Sequence, residues 1–157
     1  MDLTNHPAPA FTLPREDGSL VSLSDFAGQP VVLFFYPKDS TPACTTEAQD
    51  FTAALPEFAA TNPAAPCIVL GISKDSVKKH ANFTKKSALA VPLLSDEHGQ
   101  TCEAFGTWVE KSMYGKTYMG IERSTFLIGP DGQIKREWRK VKVEGHVAEV
   151  LEAVRTL

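Results

Sequence analysis

Val31-Val32-Leu33-Phe34-Phe35-Tyr36-Pro37-Lys38-Asp39-Ser40-Thr41-Pro42-Ala43-Cys44 is the stretch that decides the fold. Its first six residues form a continuous, β-rich apolar run, the pattern of a buried strand. Pro37, Asp39 and Ser40 then break the run. Thr41 followed by Pro42 predicts a helix start, with a hydroxyl at the N-cap and a proline at the first helical position. Cys44 therefore falls in the first helical turn, where unpaired backbone N–H groups and the positive end of the helix dipole favour an anion. The thiolate, the nucleophilic form of cysteine, is such an anion.

Outward from this junction, apolar runs alternate with helical patterns. Upstream, Phe11 to Leu13 and Leu20 to Leu23 flank the turn Asp17-Gly18 as a hairpin, and Ser24 to Gly28 reads as a short helical turn closed by glycine. Downstream, Phe51, Leu55 and Phe58 recur at helical spacing after Thr41, on a helix that Pro56 is expected to kink or shorten. Cys67 to Ile72 reads as a second buried strand, followed by a polar helix to about Lys86. Val91 to Leu94 is a third strand, and Ser95-Asp96 caps a helix carrying Cys102. Gly115 to Gly120 reads as a loop, Thr125 to Ile128 as a fourth buried strand and Asp131-Gly132 as a hairpin turn. A strand over Ile134 to Val143 and a helix over Val147 to Leu157 complete the chain. This alternation predicts an α/β sandwich forming one domain over residues 1–157, and the late hairpin predicts a mixed rather than parallel central sheet.

The 157 residues suffice for a real core, and 43% hydrophobic with 22% charged residues is ordinary for a globular protein. A net charge of -3 gives no general attraction to nucleic acid or anionic membranes. Lys135, Arg136, Arg139, Lys140 and Lys142 interleave with apolar residues, as on the solvated face of a strand pair. No apolar stretch is long enough to cross a bilayer, and the N-terminus lacks the pattern of a secretion signal. Three widely spaced cysteines make no disulfide framework, and these features together predict a cytoplasmic protein. There is no CxxC pair, no phosphate-binding glycine loop, and no histidine at metal-ligand spacing from a cysteine.

Cys44 is accordingly the candidate nucleophile. Thr41 has an ordinary role as a cap, but its hydroxyl also lies beside the thiol. Pro37 is either a plain turn residue or a shield for the thiolate. Glu47, three residues after Cys44, shares its helix face and either orients other groups or is a surface residue. Spacing alone does not single out Arg123 among the arginines. If its strand runs parallel to Val31–Tyr36, Cys67 lies at the end away from Cys44, roughly 15–20 Å distant at about 3.3 Å per residue, and a structural role is expected for it. Cys102 sits on a helix that starts at the same end of the sheet as Cys44. It is the more plausible partner, although a buried structural thiol is the default. A cysteine hydrolase would require a histidine folded against Cys44.

At Pro37-x-x-x-Thr41-x-x-Cys44 the chain resembles the peroxiredoxins, and FFYPKDSTPACTTEAQDF is similar to the bacterioferritin comigratory protein, or peroxiredoxin Q, subfamily. The resemblance continues through PAPAFTLPREDG, LGISKDSVKKHANF, PLLSDEHG and ERSTFLIGPDG. It implies a thioredoxin-like fold and a thiol peroxidase that reduces hydrogen peroxide and organic hydroperoxides with no metal or other cofactor. It implies that Cys44 is the peroxidatic cysteine, that Thr41 and Arg123 hold the peroxide, and that Pro37 shields the cysteine. It also implies a monomer reduced by thioredoxin. The resolving cysteine of many such proteins, five residues after the peroxidatic one, is replaced here by Gln49, and the other family position, near Phe83-Thr84, also lacks cysteine. The expected chemistry is therefore a one-cysteine mechanism resolved by an external thiol, with glutathione or glutaredoxin as alternatives to thioredoxin. An atypical mechanism with Cys102 resolving, and a redox sensor that reacts once, are the alternatives.

Overall fold

A computed structural model describes residues 2–157. Strands β1 (Thr12–Pro14) and β2 (Leu20–Ser22) form the hairpin predicted around Asp17-Gly18. Strands β3 (Val31–Phe35), β4 (Ile68–Ser73) and β5 (Leu93–Ser95) alternate with helices α1 (Pro42–Ala60), α2 (Val77–Lys86) and α3 (Gln100–Ala104). Strands β6 (Trp108–Met113), β7 (Lys116–Ile121), β8 (Ser124–Ile128) and β9 (Ile134–Trp138) and helix α4 (His146–Arg155) follow. The central sheet has the order β5-β4-β3-β8-β9. β3, β4 and β5 are parallel, as helical crossovers require, while β8 pairs antiparallel with both β3 and β9. The sheet is therefore mixed.

Strand alternation divides the core in two. Val32, Phe34 and Tyr36 pack on one face with Cys44, Phe51 and Phe58 of α1, Phe83 of α2 and Val150 of α4. Val31, Leu33 and Phe35 pack on the other with Phe11, Cys102, Phe105 and Phe126. Each fully buried Leu or Phe contributes about 1.5–3 kcal/mol, so these two clusters fix the sheet between its layers. Phe34 stacks on Phe51 with ring centroids 4.4 Å apart. A Cβ at Gly71 would stand 2.7 Å from the Phe34 ring, which explains the glycine inside β4.

Three expectations change. The strand expected over Ile134 to Val143 stops at Trp138, which pairs with Thr125 next to the start of β8, and Lys140 then takes a left-handed φ of 50° that ends the extended run. α1 runs through Pro56 to Ala60, so the proline does not shorten it. The proline falls near the C-terminal end, and the Phe51–Phe58 contact, at 6.0 Å between centroids, holds the last turns. Gly115 to Gly120 is not a loop but most of β7, paired antiparallel with β6. Tyr114 and Gly115, at φ 52° and 78°, form a tight reversal of the kind that suits a hairpin twist. Their neighbours are largely exposed, so no apolar alternation marked these strands in the sequence.

His146, 4% exposed, opens α4, and its Nε2 lies 2.7 Å from Thr125 Oγ1. Burial pushes its pKa from 6.5 down to about 4, with Glu149 opposing and the Arg123 charge reinforcing the fall. A depressed folded-state pKa gives stability that is present above 6.5 and lost as pH falls towards 4. The urea midpoint is expected to drop through that window, and His146→Gln to flatten the drop. A midpoint profile identical in the variant would show that other groups carry the acid sensitivity.

Candidate active site

The loop leaving β3 is fixed by buried polar contacts before it reaches α1. Tyr36 donates its hydroxyl proton to Asp39 Oδ1 at 2.6 Å, and His80 Nδ1 lies 2.6 Å from Asp39 Oδ2. His80 Nε2 donates to the Leu94 carbonyl at 2.9 Å, and the Asp39 N–H donates to Asp75 Oδ2 at 2.9 Å. Both ring nitrogens of His80 thus face acceptors, so one proton is shared between His80 and Asp39. Asp39 and His80 are 8% and 0% exposed. Ser40 takes a left-handed φ of 62°, an unfavourable conformation for a non-glycine residue that this anchoring imposes.

Thr41 is the N-cap of α1 and Pro42 its first residue. The Thr41 hydroxyl, however, does not cap the helix; it donates to the Lys38 carbonyl at 2.9 Å. Among the described residues, the Ala43 and Cys44 N–H groups have no acceptor, which leaves the helix end open to an oxygen anion. Cys44 is 2% exposed, and Arg123 Nη2 donates to its Sγ at 3.3 Å. Glu47 lies one turn along α1, and its Oε1 accepts from Arg123 Nη1 at 2.7 Å. Phe35 is in register with Ser124, so Arg123, one residue before β8, arrives at the carboxyl end of β3 beside α1. This antiparallel pairing across the chain selects Arg123, which spacing could not.

Glu47 is fully buried, and its second oxygen has no hydrogen-bond partner. Burial raises its pKa to about 7, against the lowering pull of Arg123. Burial disfavours the Arg123 cation, but the charges of Glu47 and Cys44 outweigh it and raise the arginine pKa. Cysteine, guanidinium and carboxylate thus form a chain in which Glu47 holds the arginine by one nitrogen and leaves the other for the sulfur. Pro37 is half-buried and, with Lys38, forms part of the wall of a cavity of about 550 Å³. Neither this cavity nor one of similar size, about 560 Å³, between β1 and α3 is lined by Cys44, Thr41, Glu47 or Arg123; the first borders the site only through Pro37 and Lys38 of the loop that leads to α1.

The other cysteines lie elsewhere. Cys67 precedes the β4 residue paired with Val31, so it sits at the opposite end of β3 from Cys44. Burial pushes its thiol up to about 12. Cys102, 0% exposed, belongs to the cluster on the other face of the sheet, and burial together with Asp96 raises its thiol further. Its N–H donates to Asp96 Oδ2 at 2.7 Å and that of Thr101 to Asp96 Oδ1 at 3.2 Å, so Asp96 reaches the start of α3 from outside, whereas the N-cap itself is Gly99 and not Ser95 or Asp96. His80 and His146 are engaged with Asp39, the Leu94 carbonyl and Thr125, and among the described residues no histidine hydrogen-bonds Cys44. The pairing a cysteine hydrolase needs is absent from them. No motif in the sequence singles out His80 among the histidines. Its place on the same face of α2 as Phe83, three residues later, was the available signal that it points into the core.

The AhpC/TSA family model matches residues 4–137. Peroxiredoxin Bcp of Xanthomonas campestris is 51% identical over 95% of this chain and 92% of its own length. Peroxiredoxin Bcp of Bacillus subtilis is 47% identical over 96% of this chain and 93% of its own length. The solved structure of Xanthomonas campestris peroxiredoxin Q superposes with a TM-score of 0.86 at 49% identity, covering 93% of this chain and 90% of that one. A structure of the bacterioferritin comigratory protein of the same organism, solved to explain its alkyl peroxide reduction activity, gives a TM-score of 0.85 at 49% identity, with the same 93% and 90% coverage.

Proposed function

The chain belongs to the AhpC/TSA family, with the thioredoxin-like peroxiredoxin fold, and is a thiol-dependent peroxidase; from this premise we propose that Cys44 is its peroxidatic residue and that it works as a one-cysteine enzyme. The observation that carries this reading is the sulfur of Cys44 at the open N-terminus of α1, 3.3 Å from a guanidinium nitrogen of Arg123. The thiolate attacks one oxygen of a hydroperoxide, the O–O bond breaks, and the other oxygen leaves and takes a proton as water or alcohol. Arg123 and the free N–H groups of Ala43 and Cys44 stabilise the charge that moves along the O–O bond. The Thr41 hydroxyl, fixed by its bond to Lys38, keeps its oxygen lone pairs for the peroxide proton. Pro37 shields the sulfur, and Glu47 acts through Arg123. Hydrogen peroxide and organic hydroperoxides are the proposed substrates, the latter supported by the alkyl peroxide reduction described for the Xanthomonas relative.

Cys44 then becomes a sulfenic acid, which a thiol must reduce. Gln49 and the segment near Phe83-Thr84, where the family resemblance would place a resolving cysteine, carry none, and the sheet separates Cys102 from Cys44. An external thiol reductant is therefore proposed, from a small thiol, glutaredoxin or thioredoxin, acting on a monomeric, single-domain enzyme in the cytoplasm. None of the helices is long and apolar enough to cross a membrane. Intact mass after one equivalent of hydrogen peroxide tests the mechanism. A gain of one oxygen that depends on Cys44 is expected. A loss of two hydrogens would mean an internal disulfide, and the one-cysteine reading would be wrong.

A further inference from the structure

The cavity bordered by Pro37 and Lys38 carries a chemistry that the peroxide step does not use. Its walls come from the loop that leads to Cys44, from the segment between β4 and α2, and from the β6–β7 hairpin. Four lysines line it: Lys38, Lys74, Lys79 and Lys111. Among the described residues, none of the four is paired with a carboxylate within salt-bridge distance. Lys74 is instead held with its ammonium 4.0 Å from the centre of the Trp108 ring, a contact that positions the charge without neutralising it. Two acids also line the cavity. Asp75 accepts from the Ser73 hydroxyl and the Asp39 N–H, and with Glu97 it opposes the four lysines, so cations exceed anions by two. Lys111 stands on β6, and burial, reinforced by the Arg123 charge and opposed by Glu122 and Cys44, holds its pKa below the usual lysine value. The cavity therefore places an excess of unpaired cations beside the loop, Pro37 and Lys38, that leads to Cys44, and its volume of about 550 Å³ lies in the range of small-molecule sites.

We propose that this cavity is the docking site of the thiol that regenerates Cys44, and that this thiol is a small, carboxylate-bearing one of the glutathione type. The inference rests on the one-cysteine reading above, since an enzyme without an internal resolver needs a second thiol substrate. The carboxylates meet the lysines while the sulfur reaches the oxidised cysteine. The first thiol attacks the sulfenyl sulfur of Cys44, forming an S–S bond and breaking the S–O bond, and water leaves with the thiol proton. A second thiol attacks the mixed disulfide, releasing Cys44 as the thiol and departing as the symmetrical disulfide. Two thiols thus supply the two electrons that return the sulfenic acid to the thiol.

The test uses the full chain, oxidised with one equivalent of hydrogen peroxide and mixed with glutathione (anionic), 2-mercaptoethanol (neutral) or cysteamine (cationic). The rate of sulfenic acid loss is expressed per thiolate. Wild type is expected to favour glutathione over cysteamine by about tenfold, the effect of one or two solvent-screened charge pairs. Lys74→Glu/Lys79→Glu is expected to abolish or invert that ratio, and raising the salt concentration to shrink it in wild type. Because the readout is a ratio on protein already oxidised, differences in folding or in the peroxide step cancel. Equal rates per thiolate in wild type, or a ratio unmoved by the double variant, would overturn the proposal while leaving the one-cysteine reading intact. A double variant that instead loses preference for an anionic fatty-acid hydroperoxide over cumene hydroperoxide, with the thiol ratio unchanged, would assign the cavity to the peroxide and overturn the proposal as well. An internal disulfide in place of the sulfenic acid would remove the one-cysteine reading itself.

Discussion

Replacing Cys44 with serine is expected to lower peroxide turnover on the order of 10⁴- to 10⁶-fold, the scale on which a covalent nucleophile is lost. A serine hydroxyl at this position has no neighbouring base to activate it, because no histidine hydrogen-bonds the site among the described residues. Little change in stability is expected, although the side chain is 2% exposed. Sulfur and oxygen are close in size, and the new hydroxyl inherits the donor at Arg123 Nη2, so no buried polar atom is orphaned. A shift within about 1 kcal/mol in urea unfolding is the expected result. Peroxide consumption with dithiothreitol as reductant checks the first part. Turnover by the serine variant above one hundredth of wild type would remove Cys44 from the centre of the reaction.

Arg123→Met is expected to reduce the rate constant for the reaction of Cys44 with hydrogen peroxide by about 10²- to 10³-fold, the usual effect of deleting one preorganised donor to a developing charge. The same change strips Glu47 of its only side-chain hydrogen-bond donor among the described residues. Removing one partner of a buried ion pair costs about 3–5 kcal/mol if the other stays charged. Glu47 already has its pKa raised by burial to about 7, and without Arg123 it rises further. A raised folded-state pKa means stability that is retained at low pH and lost as pH rises through that value. The variant should therefore be close to wild type in stability near pH 5 and increasingly unstable above pH 7. Arg123→Met/Glu47→Gln separates the two effects. The double variant is expected to regain stability at pH 8, because no buried charge is left alone, and to stay slow. Recovery of the rate as well would show that Arg123 matters only as the counter-ion of Glu47.

Much of the site was legible from local order. The strand at Val31, the break at Pro37, the N-cap at Thr41 and the position of Cys44 follow from neighbours within a few residues, and each holds in the fold. The fate of the Thr41 side chain did not follow. The hydroxyl turns back to the Lys38 carbonyl because the loop is pinned at Asp39 by Tyr36, His80 and Asp75, and two of these partners lie on elements remote in the chain. The hairpin at Gly115 was also hidden, since its exposed strands carry no apolar alternation and are held by backbone pairing.

The sequence by itself determined a cysteine at the start of a helix that follows a buried strand, because strand periodicity, helix capping and dipole direction are properties of adjacent residues. Only the three-dimensional packing shows which arginine meets that cysteine and that Cys102 lies on the other face of the sheet. Arg123 reaches Cys44, 79 positions away, because β8 pairs antiparallel with β3 in one register. Cys102 lies apart from Cys44 in this fold because the side chains of a strand alternate between faces, and the sheet those strands build stands between the two sulfurs.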